Sequence, residues 1–282
     1  MNSSAWGLRL LTAWSLATYA LLFSPALVIA LFSFNAPQGR FNLLWHGFTL
    51  AHWRQPLNDG ALGQAFLHSL LLALAAAVLA TLLAVPLALV LQRRPRGSNA
   101  LELLVGLPLG IPEVVLGVAL LLLLVRLNME RGWLSLLLAH TLLCLSYAAL
   151  ALKARVSSHD WTLEEAARDL GASPLQVLLR VTLPGLMPGL LAALLLSVSL
   201  SLDDVLITSF TAGSVITFPL WISGAIQRQI SPQIHVLSTL VLLLSLLALG
   251  LGTALPVLRQ RAEQRAALRT RGLRPAAPPP PP

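Results

Sequence analysis

Apolar positions along the chain fall in long unbroken blocks: Leu16 to Phe34, Ala65 to Leu91, Leu101 to Leu127, Trp133 to Leu152, Gly185 to Phe210 and Ile234 to Leu258. A helix needs roughly 20 residues to cross a hydrocarbon core. The blocks are continuous and rich in Leu and Ala, unlike the short alternating segments of a membrane barrel. The pattern therefore predicts an all-α membrane protein with six transmembrane helices. The first block exceeds the apolar core of a secretory signal, and no small-x-small cleavage site follows it, so it is read as a retained anchor.

One stretch between the fourth and fifth blocks breaks the pattern: "EEAARDLGASPLQVLLRVTLP", residues 164–184. Thr162 with Glu165 three residues later has the form of a capping box and predicts a helix start. Leu163, Ala166, Ala167 and Leu170 fall on one face, with Glu164, Glu165, Arg168 and Asp169 around the rest. Gly171 stands where a left-handed residue closes a helix. Ser173, Pro174 and Gln176 repeat the start signal, predicting a second short helix that ends at Leu183 because Pro184 follows. A helix of about eight residues does not persist alone in water. Its small face is covered either by its own bundle and the headgroups or by a partner protein that Ala166 and Ala167 allow to approach closely.

Composition agrees with the membrane reading: 56% of the 282 residues are hydrophobic and 11% charged, and mean hydropathy is +0.78. The distribution of basic residues sets an orientation. Arg9, Arg93, Arg94, Arg96, Lys153, Arg155, Arg168, Arg180 and the arginines from Arg259 to Arg274 collect on one side. Arg40, Arg54, Arg126, Arg131 and Arg228 collect on the other. Both termini and the 153–184 loop are thus expected in the cytoplasm. The net charge of +8 reflects that topology and attraction to anionic lipid rather than nucleic-acid binding. Cys144 is the single cysteine, which excludes an intrachain disulfide. The domain reading is a permease unit over 1–258, with its loop at 154–184, followed by a basic, proline-rich tail over 259–282 expected to be disordered.

Glu165-Ala166-Ala167, then Gly171, then Val181, Leu183 and Pro184 resemble the EAA loop of ABC-importer permeases, with Val181 in place of the usual Ile. The resemblance implies the type I ABC-importer permease fold in a bacterial inner membrane. It also implies a coupling helix at Glu165, Ala166, Ala167, Gly171, Leu183 and Pro184 that docks on an ATPase. "SPALVIALFSFNAPQGRF", "WHGFTLAHWRQPLND", "GLPLGIPEVVLGVALLLLL" and "SLDDVLITSFTAG" resemble the second membrane subunit of spermidine/putrescine permeases, over about Ser24 to Leu251. The partners so implied are a homologous permease, two ATPase subunits and an extracytoplasmic binding protein that docks on the outer loops, Asn35 to Gln64 and Thr211 to Gln233. The chain has no G-x-x-x-x-G-K-[ST] loop, and its only lysine, Lys153, lacks that setting. ATP and Mg are therefore expected on the partner ATPase, with no cofactor on this chain.

Acids within spans are costly and mark a pathway or a partner. Glu113 falls near the middle of the third block, and Asp203 and Asp204 toward the outer end of the fifth. They suit a polyamine whose ammonium groups need counter-charges and also lie against aromatic faces such as Tyr147 or Phe210. A second reading stands beside the first. Glu113 satisfies backbone donors freed where Pro108 and Pro112 break the helix, and the aspartates bond Ser201, Thr208 or Ser209 at a bend. Adjacent helical residues face different ways, so at most one aspartate points into a path. Rival functions are a permease for another cation or an aminoalkyl compound, and an ATP-independent secondary transporter, for which no internal repeat is evident. An enzyme is disfavoured, since the six histidines never fall at i, i+3 or i+4.

Overall fold

The computed structural model describes residues 3–39, 41–57, 60–93, 96–225, 231–247 and 250. Its helices in chain order are α1 (Ser3–Phe32), α2 (Ala51–Arg54), α3 (Gly60–Arg93), α4 (Ser98–Gly110), α5 (Glu113–Arg126), α6 (Trp133–Ser157), α7 (Thr162–Asp169), α8 (Pro174–Val177), α9 (Leu183–Asp203), α10 (Leu206–Thr211), α11 (Phe218–Ala225) and α12 (Pro232–Leu247). A π-turn over Leu178–Thr182 joins α8 to α9. Among the described residues, four helices are long and apolar enough to cross a membrane, five if the bent pair α4 and α5 is one span. The sixth apolar block is helical through α12, and the tail at 259–282 lies outside the described residues.

The centre is built by α3, α6 and α9. Helix α3 turns Ala73, Ala76, Ala77, Ala80, Ala84 and Ala88 inward with no exposed surface. In lipid, helices gain little from burying apolar surface against each other, so small residues that let backbones approach provide the packing. Ala84 and Ala88 share one cluster with Ala148, Ala149, Leu152 and Val156 of α6 and Leu186 and Ala193 of α9. Leu71, Leu74, Val78 and Leu82 recur at helical spacing on the exposed side of α3. Helix α1 stands outside this core, and none of its apolar window is buried.

The structure locates the two breaks that the second reading anticipated and corrects two local expectations. The third block is not a continuous helix: α4 and α5 meet at 111° across Ile111 and Pro112, because proline removes a donor and disfavours helix in the residue before it. The fifth block is interrupted at Asp204, whose backbone is extended, with φ −68° and ψ 124°. Thr162 does not cap α7. Asp160 accepts its N–H at 3.1 Å and its hydroxyl at 2.7 Å, which draws Thr162 into the first turn and leaves the expected box with Glu165 unmade. Finally, the second short helix does not end at Leu183. The π-turn carries it into α9, with the Leu183 N–H bonded to the Leu178 carbonyl. Widening by one residue accommodates the Pro184 ring and its missing donor at the opening of α9.

The closeness of α3 to its neighbours is testable. Ala77→Leu should destabilise the detergent-solubilised protein by about 1–3 kcal/mol through overpacking, whereas Leu82→Ala on the exposed face should shift the thermal midpoint little. Equal midpoints for the two variants would contradict the packing described.

Candidate functional site: a charged helix pair and the broken spans above it

The charged loop folds as two helices set at an angle by one residue. Gly171 has φ +84°, a conformation that glycine adopts without strain. The Ala172 N–H reaches the Ala167 carbonyl at 3.0 Å and the Gly171 N–H reaches Arg168 at 2.8 Å, which closes α7 as a Schellman motif. Two residues on, the second capping box is made as the sequence predicts. The Gln176 N–H donates to Ser173 Oγ at 3.4 Å, and the Ser173 N–H donates to Gln176 Oε1 at 2.9 Å.

The apolar stripe of α7 faces outward. Leu163 is 55% and Leu170 89% exposed, and Glu165, Ala166 and Gly171 are also exposed, with Ala167 half-buried. Among the described residues, the bundle leaves Leu163 and Leu170 of this face uncovered. The buried residue of α7 is instead Glu164, 5% exposed. Its Oε1 accepts from the Thr182 hydroxyl at 2.5 Å and its Oε2 from Arg168 at 3.2 Å. Glu164 belongs to the polar face by its spacing; the one sequence signal for its role is the i, i+4 pairing with Arg168. Beside α7, the Asp160 carboxyl is held below the usual carboxylate range by the Thr162 hydroxyl and N–H.

The three acids occupy distinct settings. Glu113 is exposed at the first position of α5, just past the 111° bend. Asp203 is exposed at the last position of α9. Neither has an ion-pair partner among the described residues. Asp204 is buried and committed: it accepts from the Thr208 N–H at 2.8 Å, the Thr208 hydroxyl at 2.8 Å and the Ile207 N–H at 3.3 Å. His140 of α6 completes this group, with Nδ1 2.7 Å from Ser201 Oγ and Nε2 3.0 Å from Thr208 Oγ1. The carboxylate thereby satisfies donors at the opening of α10 that lipid could not. Of the partners expected for the aspartates, Thr208 bonds Asp204, whereas Ser201 bonds His140 and Ser209 donates to the Leu206 carbonyl; His140 was missed because a lone histidine 61 residues from Ser201 carries no local signal.

One apolar cluster relates these elements. Leu116, a turn beyond Glu113, packs with Ala139, Leu143 and Ile207, and half-buried Tyr147 lies against them. Phe210 seats on Gly117, where a Cβ would stand 2.5 Å from the ring. The broken third span, Tyr147 and the interrupted fifth span thus meet in one place. The cleft along α4, lined by Asn99, Glu102, Gly106, Gly110 and Ile111 among others, does not include Glu113.

The loop between α1 and α3 is held by two buried asparagines. Asn35 donates to Asn42 Oδ1 at 2.6 Å and to the Leu44 carbonyl at 2.7 Å, and accepts from the His46 N–H at 2.8 Å. Asn42 donates to the Phe32 carbonyl at 2.9 Å. Phe34 stacks between Phe48 and Trp53, with centroids at 5.6 and 5.2 Å. Phe48 and Trp45 remain exposed. In the stretch expected to form a second docking loop, Thr211 to Gln233, residues 226–230 lie outside the described residues.

Known proteins agree with this arrangement. The chain is 36% identical over 233 residues to the putrescine transport system permease protein PotI of Escherichia coli K12, covering 79% of this chain and 82% of the relative. It is 35% identical over 236 residues to the spermidine/putrescine transport system permease protein PotC of Haemophilus influenzae, covering 83% and 91%. A bacterial ABC transporter involved in import of the acidic polysaccharide alginate has the same fold, with a TM-score of 0.64 at 16% identity over 92% of this chain and 98% of that one. Residues 76–267, which hold the helix pair and both broken spans, match a single family, and the chain belongs to it: the binding-protein-dependent transport system inner membrane components.

Proposed function

We propose that this chain is the permease subunit of an ATP-driven importer for polyamines, spermidine or putrescine, delivered by an extracytoplasmic binding protein. The observation that carries the substrate class is the 35–36% identity, over about four fifths of the chain, to permeases named for those two compounds. The acids are consistent with it. Glu113 and Asp203 are exposed carboxylates at breaks in apolar helices, without basic partners among the described residues. An unpaired carboxylate in such a setting is costly unless a cation or water reaches it. Glu113, Asp203 and Tyr147 would line the path, with the aromatic face supporting an ammonium group. Asp204, which the sequence also nominated, would act through the bend it holds rather than by touching cargo.

The exposed face of α7 is the surface for the energy-supplying subunit. Leu163, Ala166 and Leu170 leave an apolar strip between Glu165 and the Gly171 turn, suited to a groove on an ATPase that binds ATP and Mg. Leu183 and Pro184 open the span that would receive its motion. A pair of ATPase subunits, a homologous permease facing the broken spans and α1, and a binding protein seated on the Asn35-anchored outer loop complete the assembly. By the uneven distribution of basic residues between the two sides, α7 and both termini would face the cytoplasm.

Two sets of variants separate these roles. Glu165→Lys should reduce co-purification of the ATPase and putrescine uptake by about tenfold, the scale of one reversed contact in a packed interface, while the permease keeps its thermal midpoint. Unchanged uptake would count against the docking role. Glu113→Gln and Asp203→Asn should each raise the concentration for half-maximal uptake several-fold while leaving the thermal midpoint in place. Asp204→Ala should instead lower the thermal stability by about 1–3 kcal/mol, because it strands buried donors. If Asp203→Asn spares uptake and Asp204→Asn preserves stability yet abolishes cargo binding, the assignment of the two aspartates is reversed.

A further inference from the structure

Helix α7 can transmit a push only if it is tied to a membrane span, and its covalent tie to α9 runs through a glycine turn, α8 and a π-turn. The exposed stripe of α7 makes no such tie. The buried carboxylate of Glu164 does. It accepts the hydroxyl of Thr182 across 18 residues of sequence, at 2.5 Å, and Thr182 is itself buried in the π-turn immediately before α9. The same carboxylate takes Arg168 on the next turn of α7 at 3.2 Å, so the helix, its own arginine and the opening of α9 share one acceptor. His159 closes the far side, with Nε2 4.0 Å from Glu164 Oε1.

The end of α6 is locked to the same point. The His159 ring occupies the space beside Gly185, where a Cβ would lie 2.6 Å from Cε1. Arg155 donates to the Gly185 carbonyl through Nη2 at 2.8 Å and Nε at 3.2 Å. Its side chain crosses Gly189, where a Cβ would lie 2.7 Å from the Arg155 Cβ. The carboxylate therefore joins α7 to a section of chain whose continuation in α9 is already held against the end of α6.

We propose that Glu164 is a positioning residue for coupling, the joint that makes α7, the π-turn and the first turns of α9 move as one body. It does so without touching the ATPase. A buried carboxylate held by a hydroxyl and a guanidinium gives a stiff, short link, since charge-assisted hydrogen bonds are the stronger class. The π-turn supplies the register: its extra residue aims the Thr182 hydroxyl back at α7 while absorbing Pro184. This inference rests on the reading of α7 as the coupling helix, and the test is arranged to separate the two.

The experiment uses the full transporter in proteoliposomes in which the wild-type complex takes up radiolabelled putrescine, with uptake and ATP hydrolysis measured on the same sample. Glu164→Ala and Thr182→Val should each retain the ATPase subunits on purification and lower putrescine taken up per ATP hydrolysed by about tenfold, the scale of one charge-assisted hydrogen bond. The double variant should be no worse than Glu164→Ala alone, since Thr182→Val removes a contact that Glu164→Ala has already removed. Glu164→Gln, which keeps an acceptor for Thr182, should restore much of the ratio. An unchanged ratio in both single variants with the complex intact overturns the joint. Should Glu164→Ala prevent assembly, Thr182→Val decides alone by the same ratio. If Glu165→Lys leaves both ATPase retention and uptake intact, the coupling assignment of α7 fails, whatever Glu164 does.

Discussion

Lipid offers a backbone no hydrogen bonds, so an apolar helix can be interrupted only where the protein supplies partners itself. This constraint shapes the chain at three points. At Ile111 and Pro112, the Ile111 N–H closes on Leu107, while the Val115 and Leu116 N–H groups turn back to the Pro112 carbonyl. At the π-turn, the Leu183 N–H reaches Leu178 instead of the usual partner four residues back. At Asp204 a carboxylate replaces the lost carbonyls, and His140 braces its Thr208 partner. The proposed pathway acids Glu113 and Asp203 lie at such points, because interruptions are where a membrane helix can change direction and expose a polar group.

The three interruptions form a mechanical series around the rigid centre of α3, α6 and α9. That centre is held by small residues and does not need to deform. The π-turn joins the charged helix pair to the foot of α9, and the Asp204 bend stands at the head of the same helix. The bend between α4 and α5 meets it through Leu116 and Ile207. A displacement of α7 would enter at the foot of α9 and reach the Asp204 bend at its head, which the α4–α5 bend meets through Leu116 and Ile207.

Much of this was legible in the sequence because it is written in local pattern. The apolar blocks foretell α3 and α6 to within about five residues at each end and the start of α9 to within two, Gly171 announces its left-handed turn, and Ser173 to Gln176 announces its cap. The departures share a cause: a competing partner that periodicity does not encode. Asp160 takes Thr162 away from Glu165, a π-turn lets the chain continue through Pro184, and Asp204 finds donors three and four residues ahead. Glu164 is the sharpest case. Helical spacing assigns it to the solvent-facing side, yet Thr182 and Arg168 draw it inward and leave Leu163 and Leu170 outside. Where the amphipathic face points depends on an unseen partner, which no single-chain pattern carries.

The central claim is that ATP hydrolysed by a separate subunit drives polyamine through this chain. It is tested most directly by radiolabelled putrescine and spermidine uptake into vesicles holding this permease with its partner permease, ATPase and binding protein. The account predicts uptake that requires ATP and is competed by unlabelled polyamine. ATP-dependent complexes that move no polyamine, or polyamine uptake indifferent to ATP, would contradict it.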